Sequence, residues 1–240
     1  MRGSRLYPAT VLVILALMGS LGVPPPAASA LAAAGVATRK DLSYYMGEPA
    51  DAQRHLLDLY LPEGKKGFPL ILFIHGGAWR SGSKELYGPL AQNFVRRGIG
   101  VAVANYRLSP VVQHPEHERD VARAFAWLVK HAKEYDADPA RLYVMGHSAG
   151  AHLVALLALD PKYLRAEGLT SASIRGVIGV SGPYALGVRG FENVFGEDEA
   201  KRFDAFPLSH VRDQEAKQLP PFLILAADGD YLGLPAVAKL

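Results

Sequence analysis

The chain predicts an α/β fold, a mostly parallel, doubly wound sheet with helices on its faces, on three observations. Apolar runs of strand length recur at residues 69–74, 99–104, 141–145, 174–180 and 220–227, and continuous runs of this kind mark strands buried on both faces. Stretches with helical spacing separate them, and a strand–helix–strand order requires a crossover and therefore parallel pairing. Finally, His75, Ser148 and Asp230 each follow directly after one of these runs, where an open α/β sheet gathers its functional groups.

Half of the 240 residues are hydrophobic, enough for one domain with a substantial core. There is no cysteine, which excludes a disulfide, a thiolate metal site and a cysteine nucleophile. Basic residues are interspersed with acids, as in Arg119-Asp120 and Lys201-Arg202-Phe203-Asp204, and no basic stripe carries aromatics, so no nucleic-acid partner is expected.

Taken in order, residues 1–30 read as a secretory signal. Arg2 and Arg5 form a positive start, residues 9–23 are mostly apolar, and Pro24-Pro25-Pro26 leads to Ala28-Ser29-Ala30, an A-x-A cleavage pattern. Cleavage is expected after Ala30, giving a secreted or periplasmic protein with no membrane segment in its mature form. Loss of Arg2 and Arg5 would take two charges from the formal +3 and leave +1. Residues 31–240 are read as one domain. In it, residues 40–45 and 55–62 form an antiparallel pair, the second placing Leu57, Leu59 and Leu61 on one face and Asp58 and Tyr60 on the other. Residues 69–74 make a buried strand, 86–97 a helix and 99–104 a second strand. The helix expected over 116–135 turns Val121, Phe125, Leu128, Ala132 and Tyr135 inward, with Glu118, Arg123, Lys130 and Lys133 facing elsewhere. Asp138-Pro139 closes that connection, strand 141–145 follows, and helix 149–159 stops at Asp160-Pro161. Strand 174–180 leads to Ser181-Gly182-Pro183-Tyr184. Residues 182–219 lack periodicity and read either as an inserted cap or as a connection of short helices. A last buried strand, 220–227, ends at Asp228-Gly229-Asp230.

The chemistry centres on Gly146-His147-Ser148-Ala149-Gly150. A serine between two glycines at a strand-to-helix hinge has the composition of a nucleophile elbow: the turn is so sharp that side chains two residues away on either side would collide. The hydroxyl is lifted clear of the sheet and the Ala149 N–H points beside it. A serine hydroxyl needs a base and a carboxylate that orients the base. Gly76-Gly77-Ala78 can bring backbone N–H groups close to a substrate oxygen, with His75 fixing that loop.

His75-Gly76-Gly77-Ala78-Trp79, Asn105-Tyr106-Arg107-Leu108-Ser109-Pro110, Gly146-His147-Ser148-Ala149-Gly150-Ala151-His152 and Ser181-Gly182-Pro183-Tyr184, in this order, resemble the α/β-hydrolases of the carboxylesterase and kynurenine formamidase-like group. The resemblance covers residues 50–235. It implies an α/β-hydrolase fold and a serine hydrolase acting on a small-molecule ester or small amide, with no metal or organic cofactor. Ser148 would be the nucleophile, Gly76, Gly77, Ala78 and Ala149 would form the oxyanion hole, and Asp230 would be the acid, with Asp228 the runner-up. Trp79 and Tyr184 either line the pocket or pack in the core. The departure is the base: the family order Ser, Asp, His asks for a histidine after Asp230, and all eight histidines precede it. The expectation is a chain cut from a longer hydrolase, lacking the final strand and helix and inactive as it stands. The alternative is a catalytically silent module that binds without turnover.

Overall fold

The computed structural model describes residues 35–185, 190–211 and 219–226. Residues 1–30, expected to be a signal segment, and both acid candidates, Asp228 and Asp230, lie outside the described residues. Strands β1 (Val36–Ser43), β2 (Leu56–Pro62), β3 (Phe68–Ile74), β4 (Gly100–Ala104), β5 (Ala137–His147), β6 (Gly176–Val180) and β7 (Phe222–Leu225) form one sheet in the order β1-β2-β4-β3-β5-β6-β7. β2 is antiparallel to β1 and β4, and every other pairing is parallel. The mostly parallel sheet is as expected from the crossovers, while β1 begins at Val36 rather than Lys40 and β5 at Ala137 rather than Arg141.

Alternate residues of β3 feed two apolar layers. Leu70, Leu72 and Ile74 join Leu57, Leu59, Val121, Phe125, Leu153 and Leu157 on one side of the sheet. Ile71 and Phe73 join Tyr60, Leu90, Phe94, Val101 and Val103 on the other. Helix α1 (Gly88–Val95) covers the second face, whereas α2 (Glu116–His131) and α3 (Ala149–Leu159) cover the first. The ten residues from Ala149 to Ala158 are all buried, because α3 is apolar all round. A short α4 (Pro161–Ala166) follows, its N-terminus capped by the Asp160 carboxylate accepting from Lys162 N–H.

Two ionisable side chains, Asp58 and Glu118, are buried. The alternation in β2 holds, but its Asp58 face is buried too, because Lys84 is folded in beside it with Nζ 2.7 Å from Asp58 and 2.8 Å from Asp41. Burial disfavours the ammonium, and hydrogen bonds to Asp41, Asp58 and Glu85 outweigh it and raise the Lys84 pKa. Glu118, expected on the outer face of α2, is fully buried with both carboxylate oxygens unpartnered among the described residues. Burial first, and then the charge of Asp160, push its pKa well above the ordinary carboxylate range, which favours the neutral acid.

The motif at 105–110 is also structural. The Arg107 guanidinium donates to Asp120 from Nε and Nη2, both at 2.8 Å, and His55 Nε2 lies 3.0 Å from the same carboxylate, tying the end of β4 and the start of β2 to α2. In the 182–219 region the described part is α5 (Glu192–Phe195), α6 (Glu199–Asp204) and a 3-10 turn at Pro207–His210. Val194, Phe195, Ala205 and Phe206 from these turns belong to the main core. β7 departs from the expected buried strand: Leu223 is 52% exposed and Ile224 36%, since β7 pairs on one side only among the described residues. No helix among the described residues is long and apolar enough to cross a membrane.

Candidate active site

Ser148 sits between β5 and α3 at φ 52° and ψ −118°, a conformation that side chains rarely adopt. Surrounding bonds hold it there: its N–H donates to Val180 O at 2.8 Å, and its carbonyl accepts from Ala151 and His152 N–H. The glycines do what the spacing demanded. A Cβ on Gly146 would strike the Gly150 carbonyl, and one on Gly150 would strike the Ile74 carbonyl and approach His75 O to 2.7 Å. The half-buried Ser148 hydroxyl makes no hydrogen bond among the described residues, and the Ala149 N–H, first in the helix, has no intrahelical acceptor.

Alongside runs the loop after β3. Gly77, Ala78 and Trp79 are successively at φ 127°, 55° and 58°, and the Gly77 carbonyl is turned back to accept from Arg80 and Ser81 N–H. A Cβ on Gly77 would meet Ser81 C at 2.6 Å, so only glycine fits there. The N–H groups of Gly77 and Ala78 donate to no acceptor among the described residues. Gly76 differs from the expectation: its N–H donates to Tyr87 Oη at 3.4 Å and is not free for a ligand. Its role is steric, since a Cβ there would lie 2.9 Å from His147 Nδ1 and 3.2 Å from Ser148 Cβ. Below, His75 Nδ1 donates to Gly76 O at 2.8 Å, and the Tyr106 hydroxyl donates to His75 O at 3.3 Å. Burial holds the His75 pKa down to about 4, so this ring is a neutral strut rather than a base at pH 7.

All eight histidines lie among the described residues, and each has a partner other than Ser148. His55 is bound to Asp120, His75 to Gly76 O, and His114 faces the Tyr163 hydroxyl at 3.3 Å. His117 contacts Ser109, His131 contacts Glu134, and His147 Nδ1 is 3.2 Å from Tyr87 Oη. His210 contacts Asp204 O. His152 is sealed under the elbow, its Nε2 donating to Ala205 O at 2.8 Å, and burial pushes its pKa down to about 3.

Of the two aromatic candidates, Trp79 is 2% exposed and packs edge-on against His152, Phe191 and Phe195. Tyr184 is buried over Gly179 and Gly182 and against Ala151 and Ala155 of α3. Core packing, one of the two readings open for each from sequence, is what the structure shows. Asp160, Asp204 and His210 bring donor atoms within 4.8 Å of one another, as a metal site would. Lys162 Nζ already stands 2.6 Å from each carboxylate, so an ammonium takes the cation's place. Tyr87, which links the loop to the elbow, had no sequence signal: it ends a 3-10 turn 60 residues before His147.

The BD-FAE family profile matches residues 57–232. A “Probable isoprenylcysteine alpha-carbonyl methylesterase” from Arabidopsis thaliana is 32% identical over 205 residues, covering 75% of this chain and 42% of that protein. The “Probable carboxylic ester hydrolase LipM” of Mycobacterium tuberculosis is 42% identical over 94 residues, covering 39% and 22%. The chain thus spans less than half the length of these curated relatives. Among solved structures, esterase B of Lactobacillus rhamnosis has the same fold, with a TM-score of 0.71 and 24% identity over 85% of this chain and 70% of that one. The chain therefore belongs to the BD-FAE family, within the α/β-hydrolases of the carboxylesterase type.

Proposed function

We propose that this chain supplies the nucleophile and oxyanion hole of a serine hydrolase that cleaves carboxylic esters of small molecules. The observation that carries the reading is the placement of a serine hydroxyl, on a strained elbow, beside a loop whose Gly77 and Ala78 N–H groups, like that hydroxyl, have no hydrogen-bond partner among the described residues. Ser148 Oγ attacks the carbonyl carbon and gives its proton to a base. The oxyanion is held by the N–H groups of Gly77, Ala78 and Ala149, and the alkoxide leaves with a proton. Water then attacks the acyl–Ser148 ester and releases the acid. Each such N–H donor is worth about 3 kcal/mol in the transition state. Asp230, with Asp228 as runner-up, is the carboxylate that orients the base, and the base itself is none of the eight histidines as placed. Small amides are a second substrate class for the same chemistry. The ester hydrolase names of the relatives support the reaction class, and the A-x-A pattern before residue 31 supports export to a secreted or periplasmic location.

The test, made on the full-length protein because these 240 residues by themselves are expected to be inactive or nearly so, is hydrolysis of 4-nitrophenyl acetate and labelling by a fluorophosphonate probe, with Ser148→Ala as control. Turnover and label that both vanish in Ser148→Ala are expected. Equal rates in the two proteins, with no label on Ser148, would refute the reading in favour of a silent binding module, which the engagement of every histidine elsewhere would then explain.

A further inference from the structure

We propose that the Tyr87 hydroxyl is a positioning group for this reaction, setting the distance between the oxyanion donors and Ser148; this rests on the esterase reading above. The two halves of the site come from different strands, the loop from the end of β3 and the serine from the end of β5. Nothing in the sheet ladder fixes their tips, because β3 pairs with β5 only as far as Ile74 opposite Gly146. Beyond that point Gly76 passes directly over the elbow, so close that a Cβ would be 2.9 Å from both His147 Nδ1 and His147 O.

Tyr87 joins the two tips. Its oxygen accepts the Gly76 N–H at 3.4 Å and lies 3.2 Å from His147 Nδ1. Since Gly76 N–H can only donate, Tyr87 Oη is the acceptor of that bond, and at 3.2 Å from His147 Nδ1 it links Gly76 N–H through the phenol oxygen to the imidazole. The phenol is not free to swing: Tyr87 is 7% exposed and its ring centroid stands 4.6 Å from that of Phe73 in β3. Other braces on the loop, His75 to Gly76 O and Tyr106 to His75 O, stay within the loop or reach β4's exit, and neither touches the elbow. Tyr87 is therefore the side chain that measures Gly77 and Ala78 against the nucleophile. The bond consumes Gly76 N–H, which leaves the next two N–H groups, one and two residues on, aimed at the oxyanion.

The experiment compares the full-length protein with its Tyr87→Phe and Ser148→Ala variants on an ester and on its thionoester, whose sulfur is a poor acceptor for oxyanion-hole donors. Misplaced donors cost roughly 10- to 100-fold in kcat, less than deletion of a donor outright, with KM within about two-fold. The expected result is that loss for Tyr87→Phe, a matching shrinkage of the ester-over-thionoester preference, and a melting midpoint within a few degrees of wild type. An unchanged kcat overturns the proposal, and so does an equal loss on both substrates, which would mark a merely structural role. A wild-type rate equal to that of Ser148→Ala would instead sink the esterase reading, and the positioning role with it. If Tyr87→Phe fails to fold, His147→Leu removes the imidazole and leaves the phenol in place. The same selective loss on the ester is expected of it, and its absence overturns the proposal.

Discussion

Gly150→Ala places a methyl group where the elbow helix meets β3. The new carbon would lie 2.7 Å from both the Ile74 carbonyl carbon and His75 O, with Ile74 O closer still. Ile74 O, the nearest atom, sets the displacement: a carbon–oxygen contact is comfortable from about 3.2 Å, so α3 has to retreat from the sheet by about 1 Å. Both walls are backbone, so no side chain can rotate away. Overpacking of this kind costs about 3 kcal/mol at the upper end of its usual range, and alanine returns about 1 kcal/mol of helix propensity, leaving a net loss of about 2 kcal/mol. For a domain of this size that is a fall in Tm of about 4–8 °C. A displacement approaching 1 Å at the nucleophile should also lower kcat by up to about 10²-fold. Urea midpoints, thermal melts and ester hydrolysis measure all three quantities. Gly168→Ala is the comparison: its φ is +73° with nothing within 4 Å, so it pays only for backbone conformation, about 1–2 kcal/mol, and leaves kcat alone. A Gly150→Ala protein with wild-type midpoint and wild-type kcat would refute the steric account of the elbow.

Two further outcomes concern buried charge. Burial holds His75, His114 and His117 neutral down to about pH 4 and His152 down to about pH 3, whereas their unfolded counterparts take up a proton near pH 6.5. Between those values the unfolded chain binds more protons, so stability falls on acidification, by about 1.4 kcal/mol per pH unit for each residue; urea midpoints at pH 7, 6 and 5 that did not decline would contradict this. Glu118 has the opposite sign, because its raised pKa makes the folded state the better proton binder above the ordinary carboxylate range. Glu118→Leu should accordingly stabilise the fold at pH 7 by about 1–3 kcal/mol and steepen the acid slope, and a destabilised variant would show that the carboxyl has a partner in solution.

What the sequence made legible is what short-range sterics and periodicity enforce. Gly146 and Gly150 face each other within five residues, so their spacing alone announces the collision that a side chain would cause. The alternation of Leu57, Leu59 and Leu61 likewise reports one face of β2 correctly. Alternation does not report that the other face is buried as well, because that burial depends on Lys84, 26 residues away, which neutralises Asp58 from another element. Glu118 was misread for a related reason: helical spacing says which residues share a stripe, and the stripe that points outward on an isolated α2 is roofed here by the α4 region. The Gly76 N–H was assigned to the oxyanion hole because it belongs to the right motif, and only the fold brings Tyr87 to claim it. Long-range polar pairs carry no periodicity, so they are not legible in the sequence.

The bond from His152 to Ala205 has a consequence for how the molecule opens. The donor ring stands in the first turn of the nucleophile's helix, and Trp79, Phe195 and Phe206 close around it. Peeling residues 199–210 away would break a hydrogen bond in a dry environment and expose an aromatic cluster. Release of this edge is therefore a cooperative, sub-global unfolding step, and amide protons there should exchange with those of the early turns of α3. Once freed, His152 regains an ordinary affinity for protons, so mild acid loosens this edge together with the rest of the core.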